Sequence, residues 1–490
     1  MNHRVVARLL GRILIIETIA LALPLTVCLI YGEAGSAKAF LITMACTAAV
    51  GLLALRVKAQ HKQFYALEGF VVTALSWIVI SLFGALPFYL SGAIPSLMDC
   101  FFEVVSGFTT TGASILSDVE ALSHGLLFWR SFTHWLGGMG VLVFLLAVAS
   151  IGKGDGHELY LLKAESPGPN VGKLTSKVGK SAKILYGLYV VFSLVEVLFL
   201  LAGGMPLYDS LCTMFATAGT GGFGIKNTSM AFYQSYYLQG VVTVFMALFG
   251  VNFNIFFLLL MREFSQAWHD EELRVYLGIM LSSIALITLN ILPIYGNTFE
   301  AFHQAAFQTV SIMTTTGFTT TNFDMWPEFS RSLLVLLMVA GACAGSTGGG
   351  MKTARLVIAL KSVKKEISRM LHPRQVKILR MNGKQLDNRI VKGVSLFMTA
   401  YFITVAASFL IVSLDNKSMV TNLTAVLSCL NNIGPGLDLV GPLGNFSSFS
   451  NLSKAVLTLD MLLGRLEFFP VIFLFNPAVW RVRKRIHEPD

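Results

Sequence analysis

Gly341-Ala-Cys-Ala-Gly-Ser-Thr-Gly-Gly-Gly-Met-Lys-Thr-Ala-Arg355 interrupts an apolar run that begins near Ser332 and resumes at Leu356. Five glycines and a lysine do not suit the middle of a continuous membrane helix. Glycine has no side chain to pack and costs roughly 1 kcal/mol per site in a helix interior. Backbone released from helical bonding at membrane depth survives only where protein buries it or water reaches it. The stretch therefore predicts a broken helix lining an aqueous path, with the rest of the chain as its wall.

The 490 residues are 54% hydrophobic and 13% charged, against about 25% charged in a soluble domain. Runs of about 20 apolar residues identify a polytopic, all-α membrane protein. The net charge of +10 does not indicate nucleic-acid binding, because Lys and Arg cluster in a few connecting segments that orient the chain. Six scattered cysteines without CxxC spacing predict neither a disulfide framework nor a metal site. Arg4, Arg8 and Arg12 precede the first apolar run as in a signal sequence. That run is long and a second span follows closely, which predicts an uncleaved anchor.

Two spans lead the chain, at 9–31 and 38–56. Four units follow, each with a long span, a half-length apolar stretch, a Gly-containing tetrapeptide and a second long span. The paired spans are 67–90 with 126–150, 184–204 with 236–260, 275–296 with 332–358, and 394–414 with 454–476, giving ten in all. The half-length stretches 96–108, 207–217, 300–313 and 421–430 reach only about 15–20 Å as helices, so they enter the membrane and turn back. The tetrapeptides are Thr109-Thr-Thr-Gly112, Ala218-Gly-Thr-Gly221, Thr314-Thr-Thr-Gly317 and Asn431-Asn-Ile-Gly434. Their glycines are separated by 109, 96 and 117 residues. A period near 100 predicts tandem units that assemble to bury their polar faces. The expected division is a two-helix extension (1–63) and units at 64–152, 153–262, 263–360 and 361–490. The second and fourth units each begin with a basic loop.

Charge supports this topology. The segment Arg56-Val-Lys-Ala-Gln-His-Lys62, the lysines of 153–183, the cations of 361–392 and Arg481, Arg483, Lys484 and Arg485 all fall on the side of the N-terminus. That side is expected to be cytoplasmic, with both termini on it.

Four half-helices ending in Thr, Gly and Asn backbone suit the exchange of a cation's water shell for other oxygens. Rings of carbonyls provide those oxygens without net charge, and helix C-termini facing the axis add negative potential. Glycine permits the positive φ that turns successive carbonyls one way. Thr110, Thr111, Gly112, Gly219, Thr220, Gly221, Thr315, Thr316, Gly317, Asn432, Ile433 and Gly434 are therefore expected to form one filter. A single TTTG reads as a turn; four at repeating spacing, each after a half-span, do not.

The motifs TTTGAS, ATAGTGGFG, TTTGFTTTNFD, NNIGPGL and AGSTGGGMKTAR resemble the filter and gate motifs of the Trk/Ktr/HKT cation transporter superfamily. The match covers the chain from about 67 to 480. The extra leading pair and the length resemble the TrkH/TrkG type of potassium-translocating membrane subunit. The resemblance implies one pore per chain with pseudo-fourfold units, a homodimer, and a cytosolic TrkA-type partner that carries the nucleotide (NAD or ATP/ADP). It implies the bacterial inner membrane as location and no tightly bound cofactor on this chain. It ties a Gly at the key filter position to potassium, and a Ser in the first unit to sodium-selective plant relatives. Asn431-Asn-Ile-Gly434 departs from the Thr-rich pattern, which predicts looser selectivity than in a symmetric tetrameric channel.

Gly345, Ser346, Thr347, Gly348, Gly349, Gly350 and Lys352 nearly spell a phosphate-binding loop, but Met351 spoils the spacing and no strand precedes it. They read as an intramembrane gating loop, or else as a Gly-kinked helix packed closely on its neighbours. Arg465 lies in the last span, where a charge is costly and usually functional. It either faces the pore, the role the resemblance implies, or pairs with Glu467 or Asp460. Glu103 attracts cations or anchors the first half-helix. Glu17 and Glu196 read as structural contacts, and Asp209 as a cap of the second half-helix. No metal site is expected from His124, His134 and His303. Segments 153–183 and 361–392 are either docking surfaces for the partner or solvated loops.

The function expected is potassium uptake, with a sodium or non-selective cation path as the alternative. A membrane enzyme would need a catalytic dyad at depth, and the spans carry no Ser/His pair, paired Asp or metal cluster.

Overall fold

A computed structural model describes residues 3–57, 66–140, 178–375 and 377–480. Several regions named above lie outside the described residues. These are most of the basic segment after Val57, 141–150 of the first unit's second span, nearly all of 153–183, and Arg481, Arg483, Lys484 and Arg485.

The leading pair is a kinked span, His3–Tyr31, followed by Ala34–Leu55. Gly32 at φ 72° turns the chain between them. Next to it, the Glu33 carboxylate accepts the N–H groups of His124 (2.6 Å) and Gly125 (3.0 Å). These are the first residues of the helix His124–Gly138. The extension is thus tied to the first unit by a carboxylate on a helix N-terminus, the end that favours negative charge.

Four outer helices follow the expected spans: Glu68–Leu90, Lys183–Ala202, Glu271–Tyr295 and Asn388–Asp415. With the leading pair, six helices among the described residues are long and apolar enough to cross a membrane. The half-helices are Leu97–Phe108, Leu207–Gly219, Thr298–Met313 and Met419–Leu430. Side-chain oxygens of Ser96, Asn297 and Ser418 cap the first, third and fourth. The expectation for Asp209 is corrected. It sits in the first turn rather than before it, and accepts the Tyr233 hydroxyl at 2.7 Å, while Pro206 begins that helix without a side-chain cap.

The inner helices depart from expectation, which places a break only in the third unit. There Glu328–Ala340 and Thr353–Leu371 flank the glycine-rich stretch. The expected continuous span 236–260 is instead Tyr236–Phe249 and Phe253–Leu260, bent by 92°. The expected span 454–476 is Asn451–Leu466 and Phe469–Phe475. The cause of the first bend is tertiary. Gly250 gives its carbonyl to Cys343 N–H (3.0 Å), and Phe253 N–H donates to the Gly345 carbonyl (3.2 Å), so these groups leave the helix ladder to hold the glycine-rich stretch. At the second break Glu467 has φ 55° and pairs with Arg355.

Buried polar groups join the units. Arg130 Nε lies 2.7 Å from Glu103 Oε1, with both side chains at most 3% exposed. The guanidinium also donates to the Gly224 carbonyl (2.9 Å) and stands 3.5 Å from the Phe223 ring centroid. Glu103 further accepts the Ile115 N–H at 2.9 Å and the Ser114 hydroxyl. It therefore anchors the first half-helix to its own return segment and, through Arg130, to the second unit. His134 Nδ1 lies 2.7 Å from the Gly107 carbonyl, and Phe223 N–H donates to Nε2 (3.2 Å). These bonds assign the neutral tautomer with its proton on Nδ1.

Glu103→Ala would leave Arg130 charged and buried without its partner, a loss of roughly 3–5 kcal/mol. Thermal unfolding of the purified protein in detergent should show a clear drop; an unaltered midpoint would refute this anchoring.

Candidate functional site

All four half-helices end in the same way. In the first, Thr110 N–H bonds to the Gly107 carbonyl and Thr111 N–H to the Ser106 carbonyl. The matching pairs are Thr220 to Thr217 with Gly221 to Ala216, Thr315 to Ile312 with Thr316 to Ser311, and Asn432 to Cys429 with Ile433 to Ser428. This paired closure needs one residue in the left-handed region. Here it is Thr110 (φ 56°), Thr220 (55°), Thr315 (60°) and Asn432 (54°). A β-branched residue at positive φ is a genuine outlier, and three of the four are threonine. Strain of that kind, of order 1–3 kcal/mol per residue, persists where the surrounding structure over-determines the backbone and clusters at functional sites.

Two residues later each segment has a glycine at positive φ: Gly112 (81°), Gly222 (71°), Gly317 (82°) and Gly434 (101°). Sequence spacing aligned Gly221 with the other three; the backbone corrects this to Gly222. Gly221 occupies the place of Thr111, Thr316 and Ile433, and Gly219 precedes the left-handed residue as Thr109, Thr314 and Asn431 do. With two adjacent glycines, the side chains alone leave the frame ambiguous by one.

The four glycines close a ring. A Cβ on Gly112 would overlap the carbonyl oxygen of Gly221, and one on Gly222 that of Thr316. One on Gly317 would overlap the carbonyl oxygen of Ile433, and one on Gly434 would lie 2.9 Å from that of Thr111. Each unit thus rests its glycine on the main-chain oxygen of the next, and the fourth returns to the first. Threonine hydroxyls brace the segments, with Thr109 to Thr111 and Thr314 to Thr316 both at 2.8 Å. In the fourth segment Asn432 Nδ2 reaches Thr111 Oγ1 of the first at 2.9 Å. Chemically, this is a set of uncharged oxygens held by helix C-termini, an environment suited to a dehydrated monovalent cation.

The glycine-rich stretch lies against the base of this ring. Gly349 N–H donates to Thr315 Oγ1 (2.6 Å). Gly348 sits beside the Thr314 carbonyl and Gly349 beside that of Asn431, with no room for a Cβ at either. Ser346 turns its hydroxyl back to the Cys343 carbonyl (2.7 Å). Lys352, buried and at φ 71°, places its ammonium on the Gly348 carbonyl. Gly345 and Gly350 also take positive φ. Arg465 donates to the Thr347 carbonyl (2.9 Å), to the Gly138 carbonyl (2.7 Å), to that of Gly137, and to Thr110 Oγ1 (3.3 Å). It bridges the first unit's Thr110 segment to the loop. Of the acids considered as its partners, Glu467 takes Arg355 and Asp460 accepts the Ser408 hydroxyl.

Sequence reasoning does not single out Gly222, Arg130 or His134's bracing role. The doubled glycine was the only signal for the first. The others act on residues far along the chain, with nothing local to mark them.

Gly222→Ala should destabilise the purified protein as much as Gly112→Ala or Gly317→Ala, by at least about 1–3 kcal/mol from the backbone alone. Gly224→Ala, whose Cβ would meet nothing nearer than 3.4 Å, is the control. Equal melting of Gly222→Ala and Gly224→Ala would undo the corrected register.

Residues 36–481 match the family model TrkH, described as a cation transport protein. The Trk system potassium uptake protein TrkH of Salmonella typhimurium is 35% identical, covering 98% of this chain and all of that one. The Trk system potassium uptake protein TrkG of Escherichia coli is 30% identical, covering 98% and 99%. The crystal structure of the potassium transporter TrkH from Vibrio parahaemolyticus superposes with a TM-score of 0.87 at 32% identity, over 98% of this chain and all of that one. Ring, loop and likeness over nearly the full length agree: this chain belongs to the TrkH family of cation transport proteins, a family of transporters and not of enzymes.

Proposed function

We propose that this chain carries potassium across the bacterial inner membrane, with both termini cytoplasmic. The observation that carries the reading is the closed ring in which each unit's glycine rests on the next unit's carbonyl oxygen. In this reading the division into an extension (1–63) and four units is the division of labour. The extension braces the first unit, and the four units each give one quarter of the filter.

The filter comprises Thr110, Thr111 and Gly112; Gly219, Thr220, Gly221 and Gly222; Thr315, Thr316 and Gly317; and Asn432, Ile433 and Gly434. Positive φ at Thr110, Thr220, Thr315 and Asn432, and again at the glycine two places on but not at the residue between, is the alternation that lets successive carbonyls turn toward one side. These oxygens replace the hydration shell of potassium. The loop Gly345–Lys352 closes the path beneath, because it lies against the left-handed residues of the third and fourth segments. Arg465 holds it there and adds a positive charge on the route of a cation. The Thr347 carbonyl it grips keeps that charge at the base of the ring. A homodimer and a cytosolic, nucleotide-binding TrkA-type partner complete the proposed system, with 361–392 as the docking surface among the described residues. The relatives named as potassium uptake proteins support the choice of ion over sodium.

Expression in a bacterium lacking its own potassium uptake should restore growth at low potassium. No rescue by protein that reaches the membrane would overturn the reading. In liposomes, Arg465→Ala should raise potassium flux several-fold, on the order of 1 kcal/mol of gate closure. Flux equal to wild type at matched protein content would remove Arg465 from the gate.

A further inference from the structure

One oxygen holds both ends of the glycine-rich loop. Glu272 is 5% exposed and is the second residue of the outer helix of the third unit. Its Oε1 accepts the N–H of Ala344 at 2.6 Å and that of Ala354 at 3.0 Å. Ala344 lies before the loop's glycines, and Ala354 is in the first turn of the helix that follows them. That helix starts at Thr353, and its own preceding residue, Lys352, supplies no side-chain cap. Glu272 therefore caps it from another element, where a carboxylate best suits the exposed N–H groups and the positive end of the dipole.

The two residues before Glu272 hold something else. Asp270 accepts Asn382 Nδ2 at 2.7 Å, and Glu271 N–H donates to Asn382 Oδ1 at 2.8 Å. The Glu271 carboxylate pairs with Lys361, which also donates to the Arg380 carbonyl at 2.8 Å. Asn382 is the first turn residue of a small antiparallel hairpin, Arg380–Met381 with Lys384–Gln385. Asn382 (φ 51°) and Gly383 (φ 73°) both take positive φ, as a two-residue hairpin turn requires. A separate apolar cluster repeats the connection: Met381 and Leu386 of the hairpin region pack in one group with Ala344, Ala354, Ile358 and Val394.

We propose that Asp270, Glu271 and Glu272 form a rigid link between this hairpin and the intramembrane loop, with Glu272 as the positioning residue of the gate. The inference rests on the permeation reading above and deepens it. Three successive residues at a helix start cannot move far relative to one another. A displacement of the hairpin therefore reaches both ends of the loop at once, through one carboxylate and one apolar cluster. A protein docking on the exposed Arg380 and Lys384 would act on the loop by this route.

The test uses the full-length chain in liposomes without a partner. Wild type and the variants are measured together, and vesicles in which none of them passes a monovalent cation overturn the permeation reading and this one with it. Glu272→Ala should raise potassium flux at least about five-fold over wild type. Glu272→Gln keeps an acceptor oxygen and should return flux toward the wild-type value. Asn382→Ala, at an exposed turn, should also raise flux, and the double variant should gain less than the product of the two singles, as members of one network do. The potassium-to-sodium flux ratio should hold throughout, because the ring is untouched; a general loosening of the fold would erode it. Unchanged flux in Glu272→Ala, or fully multiplicative effects of the two substitutions, overturns the link alone. If Glu272→Ala does not fold, Asn382→Ala decides, and unchanged flux there is equally fatal.

Discussion

Four glycines pressed against four main-chain oxygens set the geometry at the centre of this molecule. The contact admits no side chain, so it fixes how near the units come and which residue of each segment faces the next. It also explains why the half-helices stop where they do. Each must end in a paired backbone closure with a left-handed residue, so that the glycine two places on arrives at its neighbour's carbonyl. Threonine at three of those positions is a local liability. The closure bonds, the Thr–Thr hydroxyl pairs and the loop beneath over-determine the backbone and hold it.

Polar bracing around the ring is unevenly distributed. The first two units are joined by the Arg130–Glu103 pair and by His134, both almost fully buried. The first and fourth are joined by Asn432 to Thr111. Between the third unit and the loop, the bond runs from Gly349 N–H to Thr315. The ring is therefore fourfold in backbone and not in side chains. Buried charges are expensive unless paired and hydrogen-bonded. Here each pair also fixes the position of an extended segment that has no helix or sheet ladder of its own.

The loop beneath the ring depends on the breaks in its neighbours. Gly250 and Phe253 can bond to Cys343 and Gly345 only because the second unit's inner helix gives up its ladder there. Glu467, at positive φ after the fourth unit's inner helix, takes Arg355 from the helix that follows the loop. Arg465, two residues earlier, reaches the loop and the first unit together. A helix broken at one place thus obliges breaks at others, since each freed carbonyl or N–H at membrane depth must find a partner.

Much of this was legible in the chain. Hydropathy gave the leading pair and the outer spans, because burial in lipid is read residue by residue. The length of the short apolar stretches gave the half-helices, because 1.5 Å per residue leaves no room to cross. The glycine-rich run betrayed one broken helix. What stayed hidden was whatever depends on residues distant in sequence: the register of Gly221 and Gly222, the breaks at 250–252 and 467–468, the burial of Arg130 against Glu103, and the grip of Glu272 on Ala344 and Ala354, 72 and 82 positions away. Composition and spacing determine which segments enter the membrane and where each turns back. Only the packing of the four units decides which backbone atoms meet, because two adjacent glycines look alike until a neighbour's carbonyl selects one of them.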